Sequence, residues 1–243
     1  MEEQQNLVMS YHRMRRWVGY LGIGLPFALI IGNWLFHEQK IYLNETLMSM
    51  VTEGYDPEEI FKGSISEYYY SPMGELFVGT LCAVAFFLFL YKGYDSKPGE
   101  KMPSDSLMTN IAGCFALLVA IFPMDYNGTI KENFRTFCSH SLVGSIHYIS
   151  AFFFFLTLAL ICIVNFRRTK DNFKFGKMPS HDFYLWCGIG IIVSILLIAT
   201  FKFINPLKEW ANDIHFHYLF WFETTSLLFF GASWLKKGQL SSN

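Results

Sequence analysis

The stretch AFFFFLTLALICIV, residues 151–164, decides the fold. Thr157 is its one hydroxyl-bearing residue, whereas a helix on a soluble domain shows polar residues along its solvated face at nearly every turn. Extended to 146–166, the run reaches the roughly 20 apolar residues that cross the hydrocarbon of a bilayer. Five further windows read the same way: 17–36, 74–91, 107–124, 183–201 and 218–235. The sequence therefore predicts an all-α integral membrane protein, a bundle of six transmembrane helices forming one polytopic domain over residues 1–243. Composition agrees, since 52% hydrophobic and 19% aromatic residues against 16% charged is too apolar for an ordinary soluble domain.

Orientation follows from the basic residues between the spans, because short loops rich in Lys and Arg stay cytoplasmic. One side collects Arg13, Arg15 and Arg16, then Lys92, Lys97 and Lys101, then Arg167, Arg168, Lys170, Lys174 and Lys177, and finally Lys236 and Lys237. That is thirteen of the 19 Lys and Arg residues. The opposite side gathers acids, among them Glu38, Glu45, Asp56, Glu67 and Asp125, so a net charge of −1 conceals two unlike faces. Both termini are expected in the cytoplasm, with the first span a retained signal anchor: its apolar run is too long for a signal peptide and lacks a small-residue cleavage site. A bacterial inner membrane and a eukaryotic endomembrane fit this reading equally.

The loops differ in content. The cytoplasmic connectors carry Pro, Gly and Lys, whereas the first outward loop, 37–73, is long for a connector and rich in apolar residues. It is expected to be ordered over the helix ends, with a short helix begun by Asp56 and Pro57. Of the five cysteines only Cys138 lies in an outward loop, so no disulfide framework is implied. Sequons at Asn44 and Asn127 both fall on the outward side.

There is no P-loop, dinucleotide glycine pattern, HExxH or nucleophile elbow, and the basic loops are too sparse for nucleic acid. What remains is a polar set that the topology brings to one membrane face: Ser66 and Glu67 ahead of the second span, Asp125 after the third, His140 and His147 at the fourth, and His215 and His217 at the sixth. Together they predict an outward-facing polar pocket.

The last span adds Glu223, between one and two turns inside an apolar run. A lipid-facing carboxylate there costs on the order of 2–3 kcal/mol or more. It must therefore face the interior, carry a proton or have a partner, for which Asn33, Thr80, Asn110 and His147 are candidates. At 100° per residue, His215, Leu219, Glu223 and Ser226 share one stripe of a continuous helix, and His217 lies on another.

Several segments carry a resemblance across most of the chain. They are SIS-E at 64–67, ELFVG at 75–79, GCFALLVAIFP at 113–123, IHYISAFFFF at 146–155, and a last helix reading His, then Glu, then LFFGASWLKK. In layout the chain resembles the Frag/DRAM membrane superfamily and a related prokaryotic group of unknown-function membrane proteins with an Ile-Ser-acidic motif. The resemblance implies a six-helix bundle, maps the family's loop hydroxyl and acid onto Ser66 and Glu67, and maps its helix residues onto His147, His217 and Glu223. Tyr68 stands where the family carries Gly. Because some members are linked to lipid-anchor remodelling or autophagy, membership implies a connection to lipid.

Two function classes follow. The first is a membrane protein that binds or handles lipid through the polar pocket without catalysis. The second is a lipid hydrolase or acyl transferase in which His147, His217 and Asp125, or His215, hold zinc that activates water. Ser66, Asp125 and the histidines are similar in type to the residues of alkaline-ceramidase-like hydrolases, although HFH replaces the His-x-x-x-His spacing of that group. A lesser third class, haem-based electron transfer, would use His147 and His217 as axial ligands.

Overall fold

A computed structural model of the protein describes residues 2–36, 61–96, 102–125, 142–168, 174–175 and 178–239, with side chains placed from residue 10 and outside 169–181. The short helix expected after Asp56, the two sequons, Cys138 and His140 lie outside the described residues.

Seven α-helices occur among the described residues: α1 (Glu2–Leu35), α2 (Gly74–Leu90), α3 (Asp105–Ile121), α4 (Val143–Leu160), α5 (Ser180–Phe203), α6 (Asn205–Asp213) and α7 (Tyr218–Lys237). A five-residue 3-10 helix, Ser66–Tyr70, precedes α2. Beyond α4 the chain winds on through a π-turn at Ile161–Asn165 and a 3-10 turn at Phe166–Arg168. A two-residue antiparallel pairing, Lys174–Phe175 with Met178–Pro179, precedes α5.

Three helical segments are long and apolar enough to cross a membrane: Ser10–Leu35, Val143–Arg168 and Asp182–Phe203; α2 and α3 are apolar but shorter. They mark the chain as a membrane protein. The last helix falls outside that group for a physical reason: Glu223, three consecutive hydroxyl residues and Ser233 dilute its apolar run, and Lys236 and Lys237 close it. It is nonetheless central, packing against both α1 and α5, while the remaining neighbours follow chain order, α1 with α2, α2 with α3, α3 with α4 and α4 with α5.

Glycine makes the α1–α7 contact close. A Cβ on Gly19 would stand 2.8 Å from the Gly231 carbonyl oxygen, and one on Gly231 would stand 2.7 Å from the Gly19 oxygen, so the two backbones touch where side chains would hold them apart.

Aromatic packing closes the end that carries the basic loops. Tyr91, Phe166, Tyr184 and Trp234 are buried in one cluster. Arg15 is buried among them, its guanidinium 4.3 Å from the Tyr11 ring centre, donating to the Lys237 carbonyl at 3.1 Å and the Tyr91 hydroxyl at 3.3 Å. It thereby joins α1, α2 and the last carbonyls of α7. Lys236 and Lys237 are buried as well, Lys237 with its Nζ 5.3 Å from the Phe166 ring. Three residues read from sequence as loop charges are thus packed side chains. Asp105 is also buried here, accepting from Asn165 Nδ2 at 2.8 Å and from the Tyr94 amide at 3.1 Å, and Ser104 caps α3 through the Leu107 amide.

Candidate functional site at the acidic end of the helices

The opposite end is organised by the segment Phe61–Ser71. Its SISE motif forms a reciprocal cap: Ser64 Oγ accepts from the Glu67 amide at 3.0 Å, and Glu67 Oε2 accepts from the Gly63 amide at 2.8 Å. That arrangement starts the 3-10 helix Ser66–Tyr70. Ser64 Oγ also lies 3.4 Å from Met124 Sδ, and the Tyr70 hydroxyl donates to the Met124 carbonyl at 2.6 Å, so the segment is tied to the end of α3. The bonded hydroxyl is therefore that of Ser64; Ser66, the sequence candidate, is buried two residues further on.

A helix start leaves amide N–H groups without intrahelical partners. Here Glu223 supplies what the segment lacks: its Oε2 accepts from the Ile65 amide at 2.7 Å, with the Ser66 amide beside it. The carboxylate is buried and lies within electrostatic reach of Glu67. The connection is doubled by the Phe220 amide, which donates to the Gly63 carbonyl at 3.0 Å. Four side chains, Asn33, Thr80, Asn110 and His147, are the sequence candidates for the partner of Glu223, whereas the bond found here is to backbone from the loop, which no side-chain pattern marks.

The histidines divide. His147 is buried on α4 with Nδ1 2.7 Å from the Phe122 carbonyl, a contact that places the proton on Nδ1, and Asp125 lies within electrostatic reach. His217 precedes α7 and rests against Phe61, ring centres 5.1 Å apart, with Gly63 alongside. His215 stands apart: it occupies an exposed turn at φ 52°, so the continuous stripe from His215 to Glu223 does not exist and α7 begins only at Tyr218. A left-handed backbone at a non-glycine residue reverses the chain between α6 and α7.

Asp125 is exposed, yet its carboxylate packs directly on the Cα of Gly144, where a Cβ would clash with it. Tyr148, beside His147 and absent from the polar set that the sequence marks, links the set. Its hydroxyl lies beside the Asp125 backbone and within electrostatic reach of Asp125, Glu67 and Glu223, and the Lys202 ammonium sits 4.3 Å above its ring. Adjacency to His147 in IHYIS was the one available signal. Among the described residues, no three His, Cys, Asp or Glu side chains converge closely enough to hold a metal ion. His147 commits its Nδ1 to the Phe122 carbonyl, which leaves Nε2 for another partner, and His217 rests against the Phe61 ring.

Residues 46–211, more than half of the chain, match a family described as Protein of unknown function (DUF998). The chain belongs to this family. The DUF998 match takes in Ser66, Glu67, Asp125, His147 and Tyr148 and stops short of His217 and Glu223. No curated protein and no solved structure is significantly similar to the chain.

Replacing Glu223 by Leu should strand the Ile65 amide and lower stability by about 1–3 kcal/mol, while Gln keeps an acceptor and should lose clearly less. Unfolding of the purified protein in a denaturing-detergent titration measures both; equal losses would remove the cap.

Proposed function

We propose that this DUF998 protein crosses the membrane six times with both termini cytoplasmic, and that it binds lipid headgroups without catalysis at the outward helix ends. The observation that carries the reading is the arrangement at Tyr148. A half-buried ring has an exposed ammonium, Lys202, against it and the carboxylates of Asp125 and Glu67 within electrostatic reach. Such a pairing of charges suits a headgroup that carries both a phosphate and an amine. The structural commitments of the neighbouring carboxylates favour binding over turnover, because Glu223 and Glu67 hold backbone amides. The resemblance to the Frag/DRAM superfamily supports the same connection with lipid.

The topology is supported by the distribution of Lys and Arg and by the antiparallel succession of α1 to α5 and α7. A cysteine at Asn172 should be labelled by impermeant reagent only after the cytoplasmic face is opened; labelling in intact cells would overturn the orientation. For the headgroup site, mass spectrometry of lipids retained by protein purified in mild detergent is the direct test. The double replacement Asp125→Asn with Lys202→Gln should reduce retained zwitterionic phospholipid several-fold with unfolding unchanged, since both side chains are exposed. Undiminished retention would end the headgroup reading.

A further inference from the structure

Between the last two long helices lies α6, NPLKEWAND, which the sequence windows passed over. Nine residues cannot span a bilayer. Its composition is sharply divided at 100° per residue: Pro206, Leu207, Trp210 and Ala211, continued by Ile214, occupy one arc, and Asn205, Lys208, Glu209, Asn212 and Asp213 occupy the other. Pro206 starts the helix and extended Ile204 provides a one-residue corner after α5.

The protein covers only part of the apolar arc. Ala211 is buried and Leu207 half-buried, but Trp210 is 51% and Ile214 53% exposed. The Trp210 ring meets Phe201 and Phe216 at 6.4 Å between centres, and the rest of it is open. The preceding helix α5 also exposes an apolar face, through Val193, Leu196 and Phe203, and Ile204 at the corner is exposed as well. If α5 crosses the bilayer, that face meets acyl chains, and α6 leaves it at the level where a Trp ring and a charged outer arc are both accommodated.

We propose that α6 lies in the plane of the membrane interface at the end of the helices bearing the Glu223 cap, with Trp210 and Ile214 inserted among lipid and Lys208, Glu209 and Asp213 toward water. The inference rests on the membrane crossing of α5 and not on lipid binding at Tyr148. The bilayer is the occupant because α6 follows, after the single residue Ile204, a helix long and apolar enough to cross a membrane, and sets exposed Trp210 and Ile214 against a charged outer arc. Interfacial seating of α6 would also fix the depth of Phe216, Tyr218 and Phe222, whose rings pack with Phe201 just ahead of Glu223.

The test uses the full chain in phosphatidylcholine vesicles whose acyl chains carry bromine at a shallow or a deep position. The emission lost on Trp210→Phe isolates Trp210. It should be quenched roughly twofold more by shallow than by deep bromines, and spared by aqueous iodide. In the Trp210→Phe background, Glu209→Trp places a reporter on the opposite arc and should show the reverse, iodide quenching without bromolipid quenching. Iodide quenching of Trp210, or protection of Trp210 from both quenchers as by a protein partner, would overturn the proposal. Neither outcome bears on lipid retained through Asp125 and Lys202.

Discussion

A carboxylate inside an apolar helix and a helix start without partners for its first amides are each costly when buried, and here one cancels the other. Glu223 lies on α7, the Ile65 amide on the segment ahead of α2, and the 2.7 Å bond between them joins parts of the chain 158 residues apart. Because the Phe220 amide donates to Gly63 one turn earlier, the segment is held at two points of α7. From there Tyr70 and Ser64 carry the attachment to the end of α3. The Tyr148 site depends on that placement, since Glu67 reaches it only as a member of the capped segment.

The other end of α7 is anchored by different means. Close contact at Gly19 and Gly231 brings α1 and α7 backbone to backbone, and Arg15 then binds the terminal carbonyl of α7 while stacked near Tyr11. A guanidinium suits this position because it donates in two directions and tolerates an aromatic environment, whereas a lysine offers a single point charge. The helix with the most polar interior is thus the one held most thoroughly, by glycine contact, by Arg15 and by the Glu223 cap.

The long apolar windows were legible in the sequence because hydrophobic length is a property of single segments. The site was legible only as a set of residue types. Glu223 stands out as an acid needing a partner, but its partner is an amide, and every residue except proline has one. In SISE the resemblance points to the second serine and the acid, whereas the fold uses the first serine and the acid as a cap, a distinction that depends on where the 3-10 helix begins. His215 was placed on a stripe by extending a helix through a turn that only tertiary structure reveals. Arg15, Lys236 and Lys237 read as loop charges because burial of a cation among aromatic rings leaves no trace in spacing. The helix α6 leaves no span-length signal because a nine-residue amphipathic pattern is less than half the length of a membrane crossing.

Hydrogen exchange of the 61–71 segment in lipid nanodiscs addresses the cap most directly. In the native protein the Ile65 and Phe220 amides should be strongly protected. Glu223→Ala should release the 61–71 segment while α3, α4 and α5 keep their protection. Unchanged protection of Ile65 in the alanine variant would show that the segment is held by other contacts and that Glu223 does not organise this end of the protein.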